Sequence, residues 1–396
     1  MTESRSAGGG DRARIETLDV MRGLAALSVV FYHCLCVQPG FNGISFDAAH
    51  APGAVPTVIN LLALTPVRLV WAGREAVGIF FVLSGFVLAL PFVENTYPGY
   101  PGFAIRRFCR IYLPYAAAIL LSLVLYNTAA AGPVPEASAW FNGFWVHSVT
   151  PDVLRDQALM LGQDDRNFLD PVIWSLVHEM RVSLLFPLLV FAVWRLGVMA
   201  PLGAVAAGYI VLKIGAAPMG IDGTTVLGSL IETIGVTPLF LLGIGIARHL
   251  DWIKSRVGSL GPWRIRMLVA LGLLLIWVDV GVQKPHFRDV TIGIGAALIV
   301  AAALANERAA PLLRARPLLW LGKISYSLYL VHLPLLLAVI YVFHGYASVG
   351  VLAALFPIGA FAAASFMFLF VERPAIRLGR KLAKALLPFA PATRAT

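Results

Sequence analysis

Apolar runs of about 20 residues recur along the whole chain, and they restrict its fold more than any other feature, because a helix needs about that length to cross a bilayer. Only 13% of the residues are charged, about half the share in soluble proteins, and 59% are hydrophobic, which excludes a disordered chain. The sequence therefore predicts an all-α, polytopic integral membrane protein with about ten transmembrane helices. The ten segments lie at about 18–38, 75–94, 108–128, 171–194, 197–216, 227–249, 267–283, 289–306, 320–343 and 347–371.

The distribution of basic residues predicts which side of the membrane the chain ends occupy. The chain carries 31 Lys and Arg against 21 Asp and Glu, a formal net charge of +10. With an even number of spans and cytoplasmic termini, 23 of the 31 basic residues fall on the inner side and 6 on the outer side. Inner loops of membrane proteins are enriched in Lys and Arg. We therefore expect both termini in the cytoplasm, a location in the cell inner (plasma) membrane, and no basic patch left over for nucleic acid.

The polar ends of the chain flank a single membrane domain. We expect a flexible cytoplasmic tail over 1–17, the membrane domain over 18–374 and a basic cytoplasmic tail over 375–396. The first apolar run is too long for a cleavable signal peptide and lacks a small-residue cleavage site, so it is interpreted as a retained span. Two long outer segments, about 39–74 and 129–170, are expected to be functional or flexible.

The cysteines give no sign of a metal site or a disulfide framework. There are three of them, Cys34, Cys36 and Cys109, and they form neither an even set nor a CxxC pair. Disulfide frameworks and zinc sites usually show one of these patterns. We therefore expect no metal.

Ionisable side chains inside the predicted spans are energetically expensive and usually mark function. Arg22 and His33 lie eleven residues apart in the first span, so they share a helix face and are about 16 Å apart along its axis. Arg22 is either part of a site or an interface anchor paired with Asp19. His33 is either a site residue or a histidine at the outer interface.

Glu179 lies about 12 Å below the outer end of the fourth span, close to the expected depth of His33. The two side chains could therefore meet between helices, where the carboxylate would orient the imidazole or join it in handling a proton. The alternative is a network of Glu179 with His178 or Arg181 that only holds helices together. Arg181 is two residues away on the same helix, which weakens a direct pair with Glu179.

A basic turn precedes the third span. Arg106 and Arg107 lie four and three residues before Arg110, so one helical turn would gather the three guanidinium groups. Guanidinium groups bind phosphates through two parallel hydrogen bonds. The motif is therefore either a phosphate site or ordinary positive-inside anchoring.

Two further spans carry polar side chains with two possible roles. Ser84 lies in the second span between Gly78 and Gly85, where small residues allow close approach of another helix or of a ligand. In the ninth span, Tyr329 and His332 share a helical stripe near mid-membrane. An unpaired polar group is costly there, so His332 must have a partner. These side chains either line a substrate tunnel or tie helices together.

Six motifs, taken in order, resemble the acyltransferase 3 family of membrane O-acyltransferases, whose members acylate envelope glycans, nodulation oligosaccharides and macrolide antibiotics. Each motif is weak alone, but the ordered set covers residues 18 to 374 and is specific. The motifs are Leu18-Asp19-Val20-Met21-Arg22-Gly23 with His33, Phe-Phe-Val-Leu-Ser-Gly-Phe at 80–86, Arg106-Arg107-x-x-Arg110-x-x-x-Pro114, Trp174-Ser175-Leu176-x-x-Glu179, Ile324-Ser325-Tyr326-Ser327-Leu328-Tyr329-Leu330-x-His332 and Val371-Glu372-Arg373-Pro374.

The resemblance implies transfer of an acyl group, acetyl or another short chain, from acyl-CoA to a hydroxyl of a carbohydrate or glycosylated acceptor. The expected partners are acyl-CoA as co-substrate, the acceptor and the lipid bilayer, with no permanently bound cofactor. We expect His33 as general base, with Glu179 and Arg22 as further catalytic residues. Donor phosphates are expected at Arg106, Arg107 and Arg110, and substrate contacts at Ser84, Trp174, Tyr329 and His332.

The chain departs from the family pattern at one place. After Glu179 the chain reads Met-Arg-Val-Ser-Leu-Leu-Phe-Pro, where many members carry a Phe-Tyr pair before the proline, so acceptor contacts on this helix are in doubt.

The rival interpretation of the sequence is a secondary transporter or flippase that uses His33, Glu179 and His332 as a proton relay. Such a protein is expected to show internal repeats, and none is evident in the sequence.

Overall fold

The computed structural model describes residues 3–39, 65–278, 285–305 and 315–386. Every regular element in these ranges is helical, which confirms the predicted all-α class. The α-helices are α1 (Glu3–Cys36), α2 (Gly73–Val93), α3 (Gly99–Ala129), α4 (Pro151–Leu159), α5 (Trp174–Leu196), α6 (Met199–Ala216), α7 (Val226–Arg248), α8 (Leu250–Gly258), α9 (Pro262–Trp277), α10 (Pro285–Ala305), α11 (Arg316–Phe343), α12 (Val349–Met367) and α13 (Arg373–Leu386).

Nine helices in the described part of the chain are long and apolar enough to cross a membrane. The remaining predicted span, 267–283, corresponds to α9, which has 16 residues and ends at Trp277. The described residues stop at 278, so the end of this predicted span lies outside them. Helix α1 begins at Glu3, before the first predicted span, and α13 covers 373–386, after the last predicted span.

Helices α1 and α11 cross at a pair of glycines. A Cβ atom on Gly23 would lie 2.7 Å from the backbone nitrogen of Gly322, and one on Gly322 would lie 2.6 Å from the carbonyl carbon of Asp19. No larger residue fits either position without a shift of the backbone. Ten residues further along each helix, His33 meets His332. Because the contacts follow the same order along both helices, α1 and α11 run parallel and in register.

Helices α2 and α7 also pack through glycines. A Cβ atom on Gly85 would lie 2.2 Å from the carbonyl oxygen of Phe240, and one on Gly243 would lie 2.2 Å from that of Val82. The predicted role of Gly85 in close helix approach is confirmed. This crossing holds α2, which carries Ser84, next to the centre of the bundle.

The segment between α3 and α5 covers the end of the bundle that contains His33, which we call the His33 end. Ser138 Oγ donates to the carbonyl of Cys36 at 2.6 Å, and Trp145 Nε1 donates to that of Leu169 at 3.1 Å. Tyr341 of α11 donates to the carbonyl of Phe144 at 3.1 Å. The predicted long segment 129–170 is thus packed onto the helices, whereas 40–64 of the other predicted segment lie outside the described residues.

Basic residues that the topology placed in spans have partners on neighbouring elements. Arg181 donates to Thr233 Oγ1 at 2.9 Å and to the carbonyl of Leu161 at 2.6 Å. Lys213 pairs with Glu232. These contacts satisfy charges that would otherwise be costly inside a bilayer.

Three arginines at the His33 end are also paired. Arg68 and Arg288 both donate to the buried Glu75, and Arg74 pairs with Asp289 at 3.1 Å. The predicted topology places most basic residues at the other end of the bundle, and these three arginines are exceptions to it. Their carboxylate partners explain why they can occupy this end.

Candidate functional site

The site is centred on a pair of histidines from α1 and α11. His33 Nδ1 lies 2.8 Å from His332 Nε2, and the ring centroids are 5.0 Å apart. His332 is fully buried and His33 is 9% exposed. The partner that the sequence required for His332 is therefore His33.

The partners of His332 determine where hydrogens can lie in this pair. His332 Nδ1 lies 3.0 Å from the carbonyl oxygen of Leu328 and 2.9 Å from that of Tyr329. Carbonyl oxygens only accept, so Nδ1 of His332 carries the hydrogen, and Nε2 of the neutral ring is an acceptor. His33 Nδ1 must then donate to it. Nε2 of a neutral His33 is consequently left with a free lone pair.

His33 lines a cavity that we call the larger cavity. This cavity has a volume of about 480 Å³ and opens between α1, α2, α5, α7 and α10. Its walls combine aromatic rings with polar and charged groups, among them Tyr32, Trp174, Tyr209, Glu232 and Asp289. A second cavity of about 260 Å³ adjoins it and shares Trp174. Aromatic faces with several polar groups suit a large hydroxylated molecule.

Asp164 lies at the junction of these two cavities, outside the membrane-spanning helices. Burial raises the pKa of its carboxyl group, and the nearby carboxylates of Glu232, Asp165 and Asp222 raise it further. Lys213 opposes the rise. Several carboxylates therefore lie close together at this rim, although the whole chain has a net charge of +10.

Tyr329 is part of the cavity wall. Its hydroxyl lies 2.7 Å from Ser175 Oγ and donates to the carbonyl of Val172 at 2.9 Å. These contacts tie α11 to the start of α5 and hold Trp174 beside the cavity. Tyr329 and Trp174 therefore line the same cavity as His33, and His332 lies directly behind His33.

The predicted arginines gather around a smaller cavity. Its volume is about 180 Å³, and it lies at the other end of α1, which we call the Arg22 end. Arg22, Arg106, Arg107 and Arg110 all line it, together with Ser84, and none of the described residues that line it is a carboxylate. Nε of Arg22 and Nε of Arg107 are buried and have no hydrogen-bond partner among the described residues. The cavity is therefore suited to an anion.

Glu179 is located with this arginine cluster. It accepts hydrogen bonds from Arg107 Nη2 at 2.8 Å and from Ser84 Oγ at 3.2 Å. Arg107 also donates to Ser183 Oγ at 3.0 Å. The contact of Glu179 with His33 that equal depth would allow is not formed, because Glu179 bonds Arg107 and Ser84 while His33 bonds His332. The alternative network with His178 or Arg181 is also wrong, since those side chains bond Thr233.

Comparisons with known proteins identify the family of this chain. The acyltransferase 3 family, described as "Acyltransferase domain", matches residues 15–372. The chain belongs to this family. It is also similar to Acyltransferase MdmB of Streptomyces mycarofaciens, with 29% identity over 402 residues that cover 95% of each chain. No solved structure matches the chain.

Membership of the acyltransferase 3 family establishes the general activity. The protein is an acyltransferase, and its apolar helices make it a multi-pass membrane protein. The central residues of its family motifs lie at the two ends of one connected set of helices. They are Arg22, His33, Ser84, Glu179 and His332. The motifs therefore surround two cavities rather than one.

Two residues near the site were missed by sequence reasoning. Trp140 stacks on the ring of His33, with centroids 5.5 Å apart and planes 14° apart. It lies in a long loop where no pattern predicted a contact. Glu372 accepts a 2.6 Å hydrogen bond from Ser327 Oγ and is 4% exposed. Its position in the Val-Glu-Arg-Pro motif was a signal, and it ends a π-helical turn, a local distortion common near functional sites.

Proposed function

We propose that this protein transfers an acyl group from acyl-CoA to a hydroxyl of a carbohydrate or glycosylated acceptor, with His33 as general base. The observation that carries the proposal is the His33–His332 pair, because it leaves Nε2 of His33 able to accept a proton beside the larger cavity. General bases of this kind accelerate reactions by about 100- to 10,000-fold.

The donor is proposed to bind at the Arg22 end. CoA carries several phosphate groups, and four arginines but no carboxylate are found among the described residues that line the smaller cavity. Each guanidinium can form two parallel hydrogen bonds to a phosphate. Arg22 is eleven residues from His33, about 16 Å along α1, so an extended pantetheine arm is needed to reach the base.

The acceptor is proposed to bind in the larger cavity. Trp174 and Tyr329 offer aromatic faces for a sugar ring, and the adjoining cavity of about 260 Å³ leaves room for a second ring. Relatives in the family act on several kinds of acceptor, so the cavity shape supports the class of acceptor and not one compound.

The proposed reaction is a direct transfer. Nε2 of His33 removes the proton from the acceptor hydroxyl as its oxygen attacks the thioester carbonyl carbon. The C–S bond then breaks, and the leaving thiolate takes the proton from His33 to give free CoA and the ester. Trp140 and His332 on either side of the imidazole hold it in one orientation.

Purified protein in lipid nanodiscs, incubated with radiolabelled acetyl-CoA and hydroxylated acceptors, tests this function. We expect acceptor-dependent release of free CoA and a labelled ester. His33→Ala should lower the rate at least about 100-fold. His344→Ala is the matched control, because His344 lies at the end of α11 and, in the described part of the chain, its ring bonds backbone carbonyls alone.

Full activity of a folded His33→Ala protein would contradict the proposed mechanism. Movement of acceptor across a sealed vesicle without consumption of acetyl-CoA would instead support the transporter interpretation. The transport measurement uses the same purified protein reconstituted into sealed vesicles, where labelled product and acceptor inside the vesicles are both counted.

A further inference from the structure

Helix α13 has three distinct faces. Its sequence from Arg373 to Leu386 contains basic residues and no acidic residue. Small residues recur every four positions at Ala375, Gly379 and Ala383, and all three are buried. Leucines recur at the same interval on an adjacent face, and basic residues occupy the opposite side.

The small-residue face attaches α13 to α3. A Cβ atom on Gly379 would lie 2.9 Å from Cys109 Cβ and 3.3 Å from the Cα of Arg106. Close packing at this point places α13 beside the basic turn of α3, at the Arg22 end of the bundle. The orientation of its two other faces is thereby determined.

The leucine face has no protein partner in the described structure. Leu378 is 44% exposed, Leu382 39% and Leu386 58%. Three exposed leucines in one row are unfavourable in water and usually mark an interaction surface. They are expected to contact an apolar phase.

The length of the last helical segment places the leucine face of α13 at the edge of the bilayer. The continuous helical segment Val349–Leu386 has 38 residues, which is about 57 Å if straight. The hydrocarbon core is only about 30 Å thick. The last part of the segment must therefore leave the core, and the leucines can remain in contact with acyl chains only if α13 lies at the interface.

The basic face identifies the kind of surface. Five basic side chains are exposed on α13, at positions Arg373, Arg377, Arg380, Lys381 and Lys384. A helix with leucines on one side and a row of Lys and Arg on the other is typical of segments that lie on anionic lipid. Phosphates of lipid headgroups would meet the guanidinium and ammonium groups while the leucines reach the acyl chains below.

From these faces we infer that α13 is a docking element for the anionic phospholipid surface of the membrane that holds the protein. The inference is independent of the acyl donor and acceptor. It also explains why most basic residues of the C-terminal segment lie on α13, since their positive charges balance the negative charges of the lipid headgroups.

The test uses the full-length protein with Leu382→Cys in nanodiscs. Background labelling should be low, because the native cysteines are buried. In discs with about one third phosphatidylglycerol, we expect a water-soluble maleimide to label this cysteine at least about fivefold more slowly than in discs of phosphatidylcholine alone. Tyr346→Cys, at an 88% exposed position at the His33 end, is the control and should react equally in both.

A second variant separates charge recognition from apolar contact. Changing Arg377, Arg380, Lys381 and Lys384 to Gln in the Leu382→Cys protein should abolish the lipid dependence, while gel filtration shows an unchanged fold. Equal slow labelling in both lipids would mean apolar insertion without recognition of charge and would overturn the inference. Equal rapid labelling would also overturn it, because α13 would then face water or await a protein partner.

Discussion

At the scale of single residues, the two histidines have different roles because their neighbours differ. His332 is locked by backbone carbonyls of its own helix, whereas His33 borders a cavity. The ring of His332 therefore determines which nitrogen of His33 carries the hydrogen. A histidine pair can do this without a carboxylate, which explains how Glu179 can belong to another cavity.

Replacing His332 tests its positioning role. His332→Leu removes the acceptor for His33 Nδ1 and should lower kcat by about 10- to 100-fold, less than the loss expected for His33→Ala. His332→Gln offers an amide oxygen as acceptor and should recover part of this activity. The readout is steady-state release of CoA. Equal losses for Leu and Gln would show that His332 only fills space.

Replacing Glu179 tests whether it acts at the smaller cavity with the arginines or at the larger cavity with His33. Glu179→Gln removes the charge paired with Arg107, so the KM for acetyl-CoA should rise several-fold with a smaller change in kcat. The exposed Glu136→Gln is the control. If instead kcat fell at unchanged KM and the pH profile shifted, Glu179 would act at His33 after all.

At the scale of helices, glycine contacts set the distances between α1 and α11 and between α2 and α7. These close crossings bring polar residues of distant motifs together, because a helix pair without side chains at the contact can approach most closely. The π-helical turn Phe368–Glu372 has a comparable role, since it ends with Glu372 buried against Ser327.

An alanine at the α2–α7 crossing should weaken the fold. Gly85→Ala places a Cβ atom 2.2 Å from a backbone oxygen, which should cost about 1–3 kcal/mol and lower the melting temperature in detergent. Gly208→Ala in α6 is the matched control, because no atom of the described residues lies within 4 Å of its Cβ position. That control should be neutral or slightly stabilising, since Ala favours helix over Gly.

The segment before α5 carries a buried carboxylate. Asp170 is fully buried, and its oxygens make no hydrogen bond of ordinary geometry within the described residues. Burial raises the pKa of this group well above its usual range, and the nearby amide of Val172 opposes the rise only in part. The folded protein therefore binds this proton more tightly than the unfolded chain, so the group favours folding at low pH and loses that contribution as the pH rises through its folded pKa.

Asp170→Asn should consequently raise the melting temperature at neutral and alkaline pH by a few degrees. The difference from the unchanged protein should shrink as the pH falls below the raised pKa, because Asp170 is then neutral as well. Thermal unfolding in detergent across this pH range is the measurement. A difference that is independent of pH would show that ionisation of Asp170 is not involved.

At the scale of the whole molecule, the two cavities lie at opposite ends of α1. The proposed reaction then joins a donor from one side of the membrane to an acceptor from the other. This arrangement requires that the Arg22 end face the cytoplasm, where acyl-CoA is made, in agreement with the predicted orientation of the basic residues.

Cysteine accessibility tests this orientation. Tyr100 is 51% exposed at the start of α3, and Tyr346 is 88% exposed between α11 and α12. In intact cells a membrane-impermeant maleimide should label Tyr346→Cys, and it should label Tyr100→Cys only after permeabilisation. The reverse pattern would place the arginine cavity outside the cell and would contradict the proposed donor site.

The sequence by itself determined the helical class, the membrane character and the family, because apolar runs of about 20 residues and short ordered motifs are local properties. It also identified His33 and Glu179 as polar residues inside spans, and the arginine turn just before the third span. It held one further signal, since each helix has ten residues from the glycine of its motif to its histidine, at Gly23 to His33 and Gly322 to His332.

Only the tertiary structure decided which of these residues meet. It joined His33 to His332 and Trp140, and it moved Glu179 to Arg107. Spans that are apolar on most sides carry little information about their rotation or neighbours, so residues at equal depth need not touch. The division into two cavities follows from glycine crossings and loop packing between segments up to about 300 residues apart, as in the contact of His33 with His332.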